Sequence, residues 1–250
     1  WQYAFQANTS WADNTAVWRW TLQANTTGGA NTAVWRTALN VNTTWWSNVA
    51  VWRSALQSNT TASSNVAVWW SALYDNTTWA WNVAVWRSVL ANNTTANYNV
   101  GMGYFALNQN TTGYSNTGLG YSSLRANVTG YANPAIWYSA LASNTTWPAN
   151  TAVWYQALNS ATWAVNNVAI WYQSLLLNTA NQNVAVWRSS LRNNTTWYYN
   201  TALWSYALQD NTVGHVNTAI WNSALENNTT WVANLSIWHA SLYRNTTWSH

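Results

Sequence analysis

One internal repeat fills the sequence, and it limits the possible folds more than any other feature. Each copy opens with an asparagine, and the copies follow one another every 17 residues, except for a 16-residue step between Asn167 and Asn183. Fourteen copies occupy residues 14–250, and residues 1–13 match positions 5–17 of an earlier, truncated copy, so we expect a fragment of a longer chain. The consensus is N-[TV]-A-[VIL]-W-x-x-[AS]-L-x-x-N-T-T-[WGA]-x-x, and positions 1–17 below refer to it.

The repeat predicts short strands and turns. Adjacent small and apolar residues at positions 3–4 and 8–9 do not form the stripe of an amphipathic helix, and Asn-Thr-Thr is a poor helix former. Short β-branched segments separated by Asn, Thr and Gly are typical of a strand–turn–strand–turn unit. Since 17 residues cannot bury their own apolar face, the copies must stack. We therefore predict an all-β β-solenoid (a β-helix or β-roll) of about fourteen 17-residue coils, one repeat per coil, forming one solenoid.

The conserved columns suggest which residues form the core. Position 4 is always apolar and position 9 is Leu in every full copy, so both are predicted to point inward. Positions 3 and 8 stay small, and a strand places neighbouring residues on opposite faces. We therefore expect these small columns on the outer face, where another backbone approaches closely. The copies around 161–167 and 179–183, where residues are shifted or lost, are predicted to be the weakest coils.

Two columns exchange tryptophan with glycine. Of the 25 tryptophans, 21 lie at position 5 or in the column after Asn-Thr-Thr, and six of the nine glycines share these columns. A corner that needs glycine has positive φ or a close neighbouring backbone, and tryptophan fits such a corner poorly. Replacing every Trp by Gly turns residues 42–56, NTTWWSNVAVWRSAL, into the coherent stretch NTTGGSNVAVGRSAL.

In that form the chain resembles a known kind of repeat over all 250 residues. The pattern N-T-A-V-G-x-x-A-L-x-x-N-T-T-G resembles repeats of phage tail fibres and bacterial surface proteins. It is also similar to the A-[IV]-G head repeats of trimeric autotransporter adhesins. The resemblance implies an extracellular rod or stalk segment on a virion or bacterial surface and a contribution to receptor or glycan attachment. It also implies three chains around one axis. Together with the small columns it predicts a parallel homotrimer with positions 3 and 8 near the chain–chain contacts, provided that the tryptophan columns are glycine.

The tryptophan columns depart from that pattern, and two explanations stay open. One hypothesis is that UGA codons read as glycine in the source organism were translated as tryptophan, which would leave a sequence with no native function in its written form. The alternative is a genuine Trp-rich protein, natural or designed. The coding DNA separates them, since UGG codons at these positions contradict the first.

Composition and spacing argue against catalysis. Charged residues are 5% of the chain, cysteine is absent, and the net charge of +4 is too small to indicate nucleic-acid binding. No apolar run approaches the ~18 residues of a membrane span. Neither the four acids nor the three histidines have the spacing of a catalytic pair or a metal site. We predict no enzyme activity, cofactor, metal or membrane insertion. The residues concerned are Asp13, Asp75, Asp210, Glu226, His215, His239 and His250.

Position 6 is the candidate binding strip. Five consecutive copies carry tyrosine there and arginines flank them, a combination that suits sugars and anionic glycans. The strip comprises Arg53, Arg87, Tyr104, Tyr121, Tyr138, Tyr155, Tyr172 and Arg188. The alternative is a solvated face whose tyrosines merely stack.

The Asn-Thr-Thr segments raise two further questions. Twelve Asn-x-Ser/Thr sequons could carry glycans, but a repeated turn in which Asn and Thr cap the backbone and form polar ladders explains them better. Thr columns also raise ice binding as an alternative function, although the adjacent threonines at positions 13 and 14 should face opposite sides.

Overall fold

A computed structural model describes residues 3–10, 13–230 and 232–244. The chain divides into two compact units, Trp1–Thr129 and Gly130–His250. In the described residues, each full repeat contributes one strand at positions 2–4 and no residue is helical. The prediction of an all-β β-solenoid with one repeat per coil is confirmed.

Seven strands in each unit follow chain order, and neighbours pair in parallel with equivalent positions facing each other, as in Ala33↔Ala50. This register persists across the 16-residue step, where Ala169 pairs with Ala185. The first unit contains β1 (Thr15–Val17), β2 (Thr32–Val34), β3 (Val49–Val51), β4 (Val66–Val68), β5 (Val83–Val85), β6 (Val100–Met102) and β7 (Thr117–Leu119). The second contains β8 (Pro134–Ile136), β9 (Thr151–Val153), β10 (Val168–Ile170), β11 (Val184–Val186), β12 (Thr201–Ala202), β13 (Thr218–Ala219) and β14 (Leu235–Ser236).

The expectation of two strands per coil was wrong, because left-handed backbone interrupts the rest of each coil. Positions 7, 9 and 17 have positive φ in most copies, for example 59° at Ser54 and 50° at Leu56. Along this part of each coil, backbone N–H groups therefore point to different neighbouring coils. Ser54 donates to the Arg36 carbonyl of the preceding coil (3.2 Å), whereas Leu56 donates to the Ala72 carbonyl of the following one (3.0 Å). Each coil is therefore closed by turns whose backbone bonds still run between coils.

Leucine at position 9 forms the core, as predicted. Twelve of these leucines, from Leu22 to Leu208, are the largest fully buried side chains. Positions 3 and 8, however, lie beside them in the interior: Ala50 and Ala55 are both 0% exposed. The expectation that these small columns face outward was wrong. They stay small because the interior of a 17-residue coil is narrow.

The coils of β5 and β6 show how narrow it is. Val89 fills position 8 where most copies have Ala, and glycine replaces alanine at the facing position 3, Gly101. A Cβ on Gly101 would lie 2.3 Å from the Val89 Cγ1 atom. The two extra methyl groups of Val89 are therefore accommodated by the loss of one methyl group at position 3.

Position 4 points outward, which corrects the second half of the predicted core. Val17 is 36% exposed, Met102 51% and Ile237 46%, and the remaining position-4 residues are half-buried. Since a strand alternates faces, burying position 3 places positions 2 and 4 together on the outer face. Each unit therefore carries a largely apolar outer face along its strands, with Val, Ile, Leu or Met at position 4 and Val, Thr, Pro or Leu at position 2.

Two asparagine ladders fill the rest of the interior. At position 12, Asn59 donates its amide to the Asn42 Oδ1 atom (3.1 Å) and to the Ala62 carbonyl (3.0 Å). At position 1, Asn48 accepts at Oδ1 from the Asn65 backbone amide (3.1 Å) and also donates to Ala62 (2.8 Å). The predicted role of these asparagines as capping polar ladders is confirmed.

Candidate functional site

The corner at position 5 borders the candidate surface and has a glycine-like backbone. Gly103 and Gly120 have φ of 118° and 120°, and Trp52 and Trp86 reach 109° and 123° in the same column. The position-5 amide donates to the position-4 carbonyl of the preceding coil, as Trp52 does to Val34 at 2.9 Å. A tryptophan at this corner therefore adopts a backbone that L residues rarely adopt.

The corner tryptophans form a stacked ladder. The Trp35 and Trp52 rings lie 5.0 Å apart with planes 7° from parallel, and Trp52 and Trp69 lie 4.7 Å apart at 4°. The second unit repeats the arrangement, with Trp154 and Trp171 4.8 Å apart at 4°. The side chains remain partly exposed, so a row of indoles borders position 6 from Trp18 to Trp86 in the first unit and from Trp137 to Trp221 in the second.

In the first unit, the predicted strip at position 6 is a ladder of arginines and aromatic rings. The guanidinium carbons of Arg53 and Arg87 lie 5.2 Å and 5.4 Å from the Trp70 ring centroid, one on each neighbouring coil. Arg87 also lies 5.6 Å from the Tyr104 ring, which stacks on Tyr121 at 5.9 Å. The cations are thus held by ring faces within the column.

In the second unit, tyrosines occupy the same column. Tyr155 stacks on Tyr138 and on Tyr172 with centroids 5.2 Å apart in both pairs. Arg188 ends this series, 5.8 Å from the Tyr172 ring and 5.6 Å from the Tyr206 ring. The structure therefore brings Tyr138, Tyr155, Tyr172 and Arg188 together in one unit, and Arg53, Arg87, Tyr104 and Tyr121 in the other.

This stacking limits what the strip can bind. A sugar that stacks on tyrosine needs a free ring face, but Tyr155 stacks on two other rings, and Tyr172 contacts both the Tyr155 ring and the Arg188 guanidinium group. The solvent instead meets phenol edges with their hydroxyl groups, and guanidinium edges with their N–H donors. The chemistry on offer is hydrogen bonding to hydroxyl and acidic groups.

A concave pocket opens beside the column in each unit. In the first, a pocket of about 320 Å³ is lined by Trp18, Arg19, Trp35, Arg36 and Arg53. In the second, one of about 330 Å³ is lined by Trp154, Trp171, Tyr172 and Arg188. Both combine corner indoles with guanidinium groups, and both are large enough for a sugar unit.

Sequence reasoning missed the corner tryptophans and Trp20 as parts of this surface. Arg19 and Arg36 lie 3.9 Å and 4.9 Å from the Trp20 ring, although Trp20 is at position 7. The useful signal was the pairing of Trp at position 5 with Arg at position 6 in consecutive copies. The repeat pattern did not predict the direction of the Trp20 ring.

The described residues hold no group of three or more potential metal ligands, and no described helix could span a membrane. Burial raises the pKa of the Asp75 carboxyl.

His250 and the sequon at Asn245 lie outside the described residues. The asparagines of most other sequons, including Asn42 and Asn93, are fully buried and donate their amides within the ladder, so they are not glycan acceptors in the folded chain.

The outer strand face does not present the threonine array on which the ice-binding alternative depends. Position 2 carries Thr in some copies and Val, Pro or Leu in the others, and position 4 carries only Val, Ile, Leu or Met. Comparison with known proteins finds no matching family model, no matching curated protein and no matching solved structure.

Proposed function

We propose that this chain is a non-catalytic structural segment of an extracellular fibre, a rod or stalk of a phage tail fibre or bacterial surface adhesin. The observation that supports this most directly is the exact-position pairing of coils within each unit, as in Ala50↔Ala67. Because equivalent residues align coil after coil, any surface property is repeated along the unit. Such a design suits extension and repeated display rather than a single reaction centre.

The segment works as a parallel homotrimer in this proposal. The inward position of the small columns removes one reason for expecting three chains, and it moves the contact surface to the outer strand face. That face is apolar at position 4 in every copy and carries Val, Thr, Pro or Leu at position 2, and Met102 and Leu235 are 51% and 67% exposed on it. An apolar face that runs through every strand is unusual for a monomer and suits burial against other copies of itself.

Light scattering on the purified chain tests the assembly. We expect a particle of three times the 28.2 kDa chain mass. Val68→Lys, on the outer face of β4, should yield monomers that keep their circular dichroism spectrum. Gln109→Lys, an exposed residue at position 11, should leave the trimer intact. A well-folded monomer for the unaltered chain would rule the assembly out.

The attachment role is assigned to the position-6 strip, which would contact a cell-surface glycan or receptor. Phenol and guanidinium edges supply the hydrogen bonds. Screening the chain against immobilised glycans tests this, with Tyr155→Phe removing one phenol hydroxyl while keeping the ring stack. Selective weakening by Tyr155→Phe supports the strip. Glycan binding that is absent or indifferent to every strip substitution contradicts it.

The UGA hypothesis for the tryptophan columns gains a specific observation from the backbone. Trp35, Trp52 and Trp171 have φ of 92°, 109° and 97°, in the same column as Gly103 and Gly120 at about 120°. A Cβ on Gly103 would lie 2.7 Å from the Gly120 carbonyl carbon, so the glycine corners are also closely approached. Sequencing the coding DNA decides: UGA at these positions supports the hypothesis and UGG ends it.

A further inference from the structure

The coils of β1, β2 and β3 carry an arginine row that extends the proposed strip beyond Arg53 to Arg36 and Arg19. Arg19, Arg36 and Arg53 are exposed, occupy position 6 of consecutive coils and line one pocket of about 320 Å³. Equivalent residues of adjacent paired strands are ~4.8 Å apart. The row therefore repeats one positive charge per coil at a nearly constant interval.

This row has no internal counter-charge in the described part of the chain. No carboxylate there lies within ion-pair distance of Arg19, Arg36 or Arg53. The guanidinium carbons of Arg19 and Arg36 lie over the Trp20 ring, 3.9 Å and 4.9 Å from its centroid, and both side chains remain exposed to solvent. Like charges at this spacing repel each other, and an external anion would relieve that repulsion.

The spacing and the surroundings select a ligand class. We propose that this pocket binds an acidic polysaccharide, with one carboxylate or sulfate group facing each arginine. A chain of uronic acids carries one carboxylate on every sugar unit, so its negative charge repeats along the chain as the arginines repeat from coil to coil at ~4.8 Å. The guanidinium forks would bind each acidic group through paired N–H donors, while Trp18 and Trp35 form the pocket wall.

The same geometry disfavours single-stranded nucleic acid. Bases bind nonspecific surfaces by stacking on free aromatic faces. Here the Trp18 and Trp35 rings lie 4.5 Å apart, and Trp35 stacks on Trp52 at 5.0 Å, so the faces between them are occupied. A uronic acid needs guanidinium edges and no free ring face.

The inference rests on the proposed attachment function and narrows it to one ligand class at one place. Titration calorimetry with a hexagalacturonate probe should show binding that weakens as salt increases, because ion contacts carry the affinity. Maltohexaose, a neutral hexasaccharide, should not bind at this pocket. Arg36→Gln should lower the hexagalacturonate affinity about tenfold.

Arg125→Gln is the matched control, because Arg125 is also exposed and lies over an aromatic ring (Phe105, 5.6 Å) but at position 10. It should leave the affinity unchanged. Equal losses in both variants, no binding of hexagalacturonate, or tighter binding of a thymidine hexanucleotide would overturn the inference. If hexagalacturonate fails while a neutral glycan still binds in a Tyr155-dependent manner, the ligand class is wrong and the proposed function stands. If no glycan binds, the attachment function fails with it.

Discussion

In the second unit, the coils of β9–β11 and of β12–β14 share an interior but differ at the position-5 corner. In the first group, Trp154, Trp171 and Trp187 have φ of 97°, 97° and 108°. Their amides donate to the position-4 carbonyl of the preceding coil at 2.8, 2.7 and 2.8 Å. In the second group, Trp204 and Trp221 are outside the left-handed region and their amides do not make this bond in the described structure, while the strands shorten from three residues to two.

The difference shows what the corner demands. A tryptophan there either holds a rare φ, which costs roughly 1–3 kcal/mol, or releases it and loses a backbone hydrogen bond of about 0.5–1.5 kcal/mol. These costs are similar, so both outcomes occur in one chain. Ring stacking does not decide between them, because Trp187–Trp204 and Trp204–Trp221 both stack at 5.4 Å. Gly103 and Gly120 meet both demands, with positive φ and bonds of 3.2 and 2.7 Å.

The largest expected effect tests whether the two groups truly share an interior. Leu158→Asp in the coil of β9 and Leu208→Asp in the coil of β12 each place a carboxylate where leucine is 0% exposed. Each should unfold several neighbouring coils, at a cost of about 4 kcal/mol or more, since a cavity and a buried charge add. Urea denaturation followed by circular dichroism measures both losses. If Leu208→Asp alone is tolerated, the two groups of coils differ in their interior as well as at the position-5 corner.

A smaller effect tests the narrow interior in the coils whose corner is glycine. Gly101→Ala should destabilise the chain by about 1–3 kcal/mol, because its Cβ would lie 2.3 Å from Val89. Val89→Ala in the same chain should restore most of the loss, and thermal unfolding of the two single variants and the double variant measures the coupling. If Gly101→Ala is neutral by itself, position 3 is not packed against position 8.

A modest gain is expected where the position-12 ladder is interrupted, in the coil of β9. Ala161 stands there in place of asparagine and is fully buried. Ala161→Asn should stabilise the chain by about 1 kcal/mol, because the new amide can donate to the Ala164 carbonyl as Asn59 does to Ala62. Ala161→Asp has the same shape without the amide donor and should not stabilise. Equal melting temperatures for Ala161→Asn and the parent chain would show that the ladder adds nothing at this coil.

The predicted weakness of the coils near 161–167 and 179–183 remains a prediction, and this pair of variants probes the first of them.

The sequence alone predicted the coil period, the parallel solenoid, the buried leucine column and the asparagine ladders. All of these follow from spacing and from the need of a short unit to stack. The sequence did not predict which face of the strand points inward, because in Thr-Ala-Val either the alanine or the Thr and Val pair could lie inside. Hydrophobicity favours Val51 inside and available volume favours Ala50, and only the width of the coil decides for Ala50.

The candidate surface was predictable in part for a related reason. The position-6 column follows from the repeat, since equivalent residues of stacked coils share a face. Its chemistry depends on ring directions that the repeat does not specify, such as Trp20 under Arg19 and Arg36. The left-handed backbone of Ser54 and Leu56 was likewise not predictable, because neither position carries the glycine that usually indicates a positive φ.

The most direct test of the corner account is amide hydrogen exchange at positions 204 and 221 in the Trp204→Gly/Trp221→Gly variant. Glycine can adopt the left-handed corner without strain, so both amides should form the bonds to the Val186 and Leu203 carbonyls and become protected. Trp154→Gly is the control, because its amide already bonds to Ile136 at 2.8 Å and should stay protected. The account predicts slow exchange at both new glycines. Exchange as fast as in the parent chain would contradict the claim that position 5 is a glycine corner.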